Sequence, residues 1–128
     1  MNFKIVWRNR EIDTLLNNPN GTVGRYLAGQ GEKVTAAARA QAGFRTGALR
    51  ASIHMRHMRD SRGQYLKIGS SVKHAYMHHE GTKPHLIMPR RRRTLRFFSK
   101  GFMVFSQLVR HPGTKPNRYL TDNLKLIR

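Results

Sequence analysis

Residues 51–68 read ASIHMRHMRDSRGQYLKI. From Ala51 to Met58, Ile53, Met55 and His57 fall on one side of an extended chain. From Gln64 to Ile68, Leu66 and Ile68 do the same. Between the two runs, Asp60-Ser61-Arg62-Gly63 is a turn by residue type. Strand, turn and strand predict an antiparallel hairpin, ended by Gly69-Ser70-Ser71.

Working toward the N-terminus, the period changes from two to that of a helix. The spacing predicts a helix over about 21–42, with Val23, Tyr26, Leu27, Val34, Ala37 and Ala38 on one face. Ala36 to Ala40 is strongly helix-forming. Asn20 is the expected N-cap and Gly43 the expected stop. Gly24, Gly29 and Gly31 each weaken the helix by up to about 1 kcal/mol relative to Ala, and a kink is expected near Gly29-Gln30-Gly31. Ile12, Leu15 and Leu16 predict a shorter helix over 9–17, ending before Pro19 because the residue preceding proline avoids the α region. Residues 3–7, Phe-Lys-Ile-Val-Trp, alternate as a short strand does.

Toward the C-terminus, Val72 to Glu80 reads as a short helical or extended stretch. Strands are expected at Leu86–Met88, Leu95–Phe98 and Phe102–Val109. A last helix is expected over about 118–127, with Leu120, Leu124 and Ile127 on one face. Helix first and hairpins after predict an α+β fold, one long helix on a small antiparallel sheet, with short N- and C-terminal helices. One domain spanning 1–128 accommodates this length.

The chain carries 25 Lys and Arg against 6 Asp and Glu, a net charge of +19 with His neutral, and no Cys. The absence of Cys excludes disulfides, thiolate metal sites and a cysteine nucleophile. No apolar run approaches the ~18 residues of a membrane span, and MNFKIVWRNR lacks the features of a signal peptide. Six acids are too few to pair the bases internally, so the charges are expected either to be spread apart or to be neutralised by an anionic partner: nucleic acid, an acidic protein surface or anionic lipid. The densest run is Arg90-Arg91-Arg92-Arg93. It reads either as a solvated turn or as a contact to phosphate or an acidic surface.

Catalysis finds little support. His74 and His78 have the spacing of helix-borne zinc ligands, with Glu80 or His111 as a third, but no His-Glu-x-x-His motif accompanies them. Glu80 reads as a salt-bridge partner for a nearby Arg or Lys. Ser52, Ser70, Ser71, Ser99 and Ser106 carry no nucleophile elbow, and no phosphate-cradling glycine loop follows a strand. No catalytic residue, cofactor or metal is therefore assigned. Phe97, Phe98, Phe102 and Phe105 interleave with Arg90 to Arg96 and Lys100. Exposed, they would stack on bases; alternation places half of them in a core. Glu80-Gly-Thr-Lys-Pro-His85 is echoed 32 residues later by Pro112-Gly-Thr-Lys-Pro-Asn117, marking two similar loops.

Three segments, in order, resemble a known family. Thr46-Gly47-Ala48-Leu49-Arg50-Ala51-Ser52-Ile53 resembles the TG-x-L-R-x-S-I signature of tail-completion and head–tail joining proteins in the neck of long-tailed bacteriophages. His74-Ala75-Tyr76 followed by His79-Glu80-Gly81-Thr82 resembles their YA-x-x-x-E-x-GT element. Val109 to Leu120, with His111, Pro112, Gly113, Pro116 and Tyr119, is similar to the V-x-HPG-x-x-P-x-x-F/Y-L ending of a branch from phages of actinobacteria. Phe44-Arg45 stands where that family usually has a proline, and the heavy positive charge departs from its pattern. The physical reading of these motifs stands beside the resemblance. Thr46-Gly47 turns the chain from helix to sheet, Leu49 and Ile53 pack back on the helix, and Arg50 stays in water. Tyr76 and Glu80 lie near the Gly81 loop, and His111 to Pro116 stiffen a loop before Tyr119 and Leu120 dock the last helix.

The resemblance implies a non-enzymatic virion structural protein at the head–tail junction, present in the host cytoplasm during assembly. It would self-associate into a ring around the DNA channel, and its partners would be other neck, connector and tail proteins, with genomic DNA in the lumen and no membrane. The residues expected to meet DNA or an acidic neighbour are Arg90, Arg91, Arg92, Arg93, Arg96 and Lys100. A tail terminator, or a basic nucleic-acid-binding or ribonuclease-like protein, are the alternatives.

Overall fold

A computed structural model describes residues 3–127. The fold is α+β. In chain order it contains α1 (Asn9–Asn17), α2 (Thr22–Gln41), a short α3 (Ala48–Ser52), β1 (Ile53–Asp60), β2 (Gly63–Ser70), α4 (Ala75–Glu80), β3 (His85–Ile87), β4 (Leu95–Ser99), β5 (Phe102–Ser106), β6 (Val109–His111) and a 3₁₀ helix (Thr121–Leu126). The chain packs as two compact units. One runs up to Ala75 and resumes at Arg118; the other is Tyr76–Asn117.

In the first unit, β1 and β2 pair antiparallel from Ile53↔Ser70 to Asp60↔Gly63, the hairpin that the alternation predicts. The strand starts two residues later than expected, because Ala48–Ser52 winds into one helical turn. Gly47 makes that turn accessible with φ +81°, a left-handed angle that side chains disfavour. Helix α2 packs on both strands. Helix and hairpin approach closely at Gly31, where a Cβ would stand 2.5 Å from Leu66 Cδ1 and 2.7 Å from Met55 Sδ.

Small residues on α2 set the core. Ala38 and Ala42 let Leu49, Ile53, Ala75 and Tyr119 close against the helix, with Ile68, Val72 and Leu120 around them. Leu49 and Ile53 pack back on the helix as expected. Tyr119 is only 1% exposed, and burial pushes its hydroxyl pKa up. The end of α2 is held by arginines. Arg50 Nε donates to the Ala42 carbonyl at 2.8 Å, and its guanidinium lies 5.2 Å from the Phe44 ring centre. Arg39 donates to the Ile53 carbonyl through Nη2 at 2.6 Å and Nε at 3.1 Å. Arg50 is therefore half-buried rather than wet, because the last carbonyls of a helix want donors and favour cations.

Several sequence expectations are corrected. Residues 3–7 join no ladder among the described residues. Asn20 does not cap α2. Gly21 holds that position, and the Asn20 amide donates to Asn18 Oδ1 at 2.9 Å in the preceding turn. Helix α2 stops because Ala42 turns extended (φ −59°, ψ 135°), not at a left-handed Gly43. Among the described residues the single sheet is instead three two-stranded ladders. The expected strand 102–109 breaks at Gln107 and Leu108, where Ser106 Oγ donates to the Leu108 carbonyl at 2.6 Å. The C-terminal helix is 3₁₀ rather than α. Asn123 Nδ2 ties it back by donating to Gln41 Oε1 and the Tyr119 carbonyl, both at 2.8 Å. Among the described residues, no helix is long and apolar enough to cross a membrane.

The glycines of α2 are not equivalent. A Cβ at Gly24 would run into the Pro19 carbonyl oxygen, whereas nothing lies within 4 Å of one at Gly29. Gly29→Ala is expected to raise stability by up to about 1 kcal/mol, the helix-propensity gain. Gly24→Ala is expected to lower it, since the backbone of the α1–α2 turn must shift. Urea midpoints of the two variants against the parent chain check both signs.

Candidate functional site

The second unit, Tyr76–Asn117, is built as nested antiparallel pairs. At its foot the two Gly-Thr-Lys-Pro copies pair with each other instead of forming separate loops. Thr82 N donates to the Thr114 carbonyl and Thr114 N to the Thr82 carbonyl, each at 3.0 Å, and the two hydroxyl oxygens lie 3.1 Å apart. The glycines make this approach possible from both sides. Gly81 (φ +74°) has no room for a Cβ beside the Thr114 carbonyl oxygen at 2.5 Å and Pro116 N at 2.8 Å, and Gly113 (φ +88°) has none beside the Thr82 carbonyl oxygen. The repeat is thus a reciprocal clasp, each copy occupying the space left by the other's missing side chain.

Above the clasp, His85 pairs with His111, Leu86 with Arg110 and Ile87 with Val109. The rings of His85 and His111 stack with centres 5.0 Å apart. His111 Nδ1 accepts from the Gly113 amide at 3.0 Å, so its proton sits on Nε2 while that bond holds. The next pairs are Leu95↔Ser106 through Ser99↔Phe102. Between the two ladders, Met88 to Thr94 on one side face only Gln107 and Leu108 on the other, a register jump of five. Arg90, Arg91, Arg92 and Arg93 occupy this bulge. All four are exposed, and none has an ion-pair or hydrogen-bond partner among the described residues.

The tip is a two-residue turn, Lys100-Gly101, with φ of +49° and +86°. Positive φ at both central residues is the type I′ turn that fits strand twist. Lys100 is the only non-glycine with positive φ among the described residues. On one face of β4 and β5, Arg96 stands opposite Phe105 and Phe98 opposite Met103. Arg96 Nε donates to Met103 Sδ at 3.4 Å. Phe98, Phe105 and, at the tip, Phe102 are 69%, 63% and 74% exposed. Alternation had placed half of the four phenylalanines in a core; only Phe97 is half-buried. A two-stranded ladder with no layer over this face cannot bury Phe98 and Phe105, and Phe102 sits on the other face at the end of the ladder.

The unit carries Lys83, Arg90 to Arg93, Arg96, Lys100, Arg110 and Lys115 against one acid, Glu80. Glu80 faces His79, with Nδ1 2.7 Å from Oε1, and not the Arg or Lys that the sequence reading assigned to it. Tyr76 is 74% exposed. His78 Nε2 lies 3.1 Å from Asn117 Nδ2. His74 precedes α4, so the helical spacing with His78 does not operate. No group of three His, Cys, Asp or Glu among the described residues is placed to hold a metal ion. The structure therefore gathers Gly81, Thr82, His111, Gly113 and Pro116 at one foot, and Arg90 to Arg93, Arg96 and Lys100 along the strands above. Thr46, Gly47 and Leu49 belong to the first unit's turn and core; Thr46 Oγ1 accepts from the Ala48 amide at 3.4 Å. Pro112 is exposed beside the clasp. The pairing of the two repeats was missed in the sequence, although two copies flanking the strands on either side of the Lys100-Gly101 turn were its signal. Comparisons with protein-family models, with curated proteins and with solved structures find no match to this chain.

Gly113→Ala forces a left-handed alanine, a cost of about 1–2 kcal/mol, on top of the clash. Amide exchange at Thr82 and Thr114 is expected to accelerate about tenfold or more, with Ile53 in the other unit unchanged. Lys100→Asn places the favoured residue before glycine in a type I′ turn. It is expected to stabilise this unit by up to about 1 kcal/mol, read as slower exchange across β4 and β5.

Proposed function

We propose that this chain is a virion structural subunit of the neck of a long-tailed phage, a non-enzymatic ring component between the head connector and the tail. The observation that carries the reading is the arginine bulge: four adjacent unpaired guanidinium groups raised between two ladders, in a unit with a single acid. The motif resemblance supplies the setting. The proposed mechanism is electrostatic and steric. Copies of the bulge, arranged in a ring, meet the acidic surface of a neighbouring ring or the genome passing through. The clasp keeps the bulge at a fixed offset from its foot, so that every copy presents its charge alike.

Replacing Arg90 to Arg93 by Ala removes no buried group, so the chain is expected to fold normally by circular dichroism. Phage carrying the variant are expected to accumulate unjoined heads and tails by electron microscopy. Normal infectious particles overturn the reading.

The exposed Phe98, Phe102 and Phe105 beside Arg96 and Lys100 favour a second reading, a free nucleic-acid-binding protein. That protein would bind DNA or RNA as an isolated chain, with affinity falling steeply in salt. Four phosphate contacts contribute a log–log slope of about −3.6, which the same alanine variant would lose.

A further inference from the structure

We infer that the β4–β5 arm binds an unpaired nucleic-acid strand, stacking two bases on Phe98 and Phe105 while Arg96 and the bulge hold the phosphates. The inference deepens the nucleic-acid reading above and rests on it, naming the form of nucleic acid and the residues that take it. The exposed face of the arm is a patch of four side chains. Arg96 Nε meets Met103 Sδ at 3.4 Å across one diagonal, and Phe98 and Phe105 mark the ends of the other. That contact crosses between the two rings and leaves both clear, 69% and 63% exposed. Diagonal neighbours in an antiparallel pair stand about 7–8 Å apart, close to twice the base rise of about 3.4 Å. Successive bases therefore reach both rings by leaving each other, as they can in a single strand. The two-residue turn at Lys100-Gly101 fixes the register of the strands, and so the spacing of the rings.

Charge complementarity selects the occupant. From Met88 to Ser106 the chain carries six cations and no acid. Only Thr94 and Leu95 separate the last arginine of the bulge from Arg96. A second copy would set the same cations against these, and like charges facing across an interface cost affinity. The carboxylates of an acidic protein surface meet the charge and leave the rings bare. A duplex also meets the charge, but its bases are already stacked. Its grooves present donors and acceptors that a phenylalanine ring would desolvate without pairing. A single strand repeats both groups in every nucleotide, an anion and a flat ring. Every base has a π-face, so binding of this kind carries little sequence preference.

Phe98→Leu and Phe105→Leu each keep an apolar side chain and remove the flat ring. Both positions are exposed, so the variants are expected to fold, with parental amide exchange across β4 and β5. Fluorescence anisotropy of the full chain with three labelled probes of about twelve nucleotides reads the outcome: a thymidine strand, an abasic strand with the same phosphates, and a duplex. Each Leu variant is expected to bind the thymidine strand about fivefold or more weakly, and the other two probes as the parent does. The log–log salt slope is expected to stay, because stacking releases no counterions. Replacing Arg90 to Arg93 by Ala is expected to lower its magnitude by about 2.8 instead. Phe98→Trp, with a larger ring, is expected to bind the thymidine strand at least as tightly as the parent. A parent that binds the abasic strand as tightly as the thymidine strand overturns the inference and leaves the nucleic-acid reading standing. Leu variants that weaken all three probes alike, or none, do the same. Binding to none of the probes overturns both and leaves the neck reading untouched. Poly-glutamate that displaces the thymidine strand at equal charge concentration overturns the inference in favour of an acidic protein partner.

Discussion

A very small core holds a chain that repels itself. Seven apolar residues are buried among the described residues, four of them Val or Ala, and 19 positive charges stand uncompensated. Stability on this scale depends on α2 lying close enough to the β1–β2 hairpin for alanines to make contact. Gly31, Ala38 and Ala42 give that closeness, and Ile53 and Tyr119 fill what remains. Arg39 and Arg50 turn part of the charge excess to structural use by satisfying backbone carbonyls near the end of the helix. The side-chain ion pairs are exposed or involve histidine and add little. What the acids do not neutralise is displayed.

The display is concentrated where the fold is thinnest. Tyr76–Asn117 contributes no residue to the buried core of the first unit, and its strands pair only two by two. Such ladders are marginal alone in water. Three devices compensate here: reciprocal glycines at the foot, stacked histidines above them, and a two-residue turn with the right handedness at the tip. Each fixes backbone without burying side chains, so the arginines and phenylalanines remain outside.

The parts legible in the sequence are those ruled by local periodicity. The alternation in residues 51–68 and the helical stripe from Val23 to Ala38 located the main elements, and Thr46-Gly47 located the turn between them. Helix ends were less legible. Asn20 and Gly43 have the right chemistry for caps, but Asn18 took the turn bond and Arg50 took the carbonyl; the first is a choice between neighbouring side chains that periodicity does not rank, and the second depends on where a side chain from the next turn arrives. Exposure of Phe98, Phe102 and Phe105 was illegible for a similar reason: alternation gives two faces, not whether a layer covers either. The arginine run was visible as a charge run. That it forms a bulge follows only from comparing the pairing on its two sides.

The seven-against-two offset around Arg90–Arg93 has an evolutionary consequence. Both ladders close their hydrogen bonds without this segment, so its length is nearly a free variable. Doubling or halving such a loop changes closure entropy by only about 0.6 kcal/mol. Selection can therefore adjust the dose of cation on this arm by insertion, deletion or substitution while the scaffold beneath it is inherited unaltered.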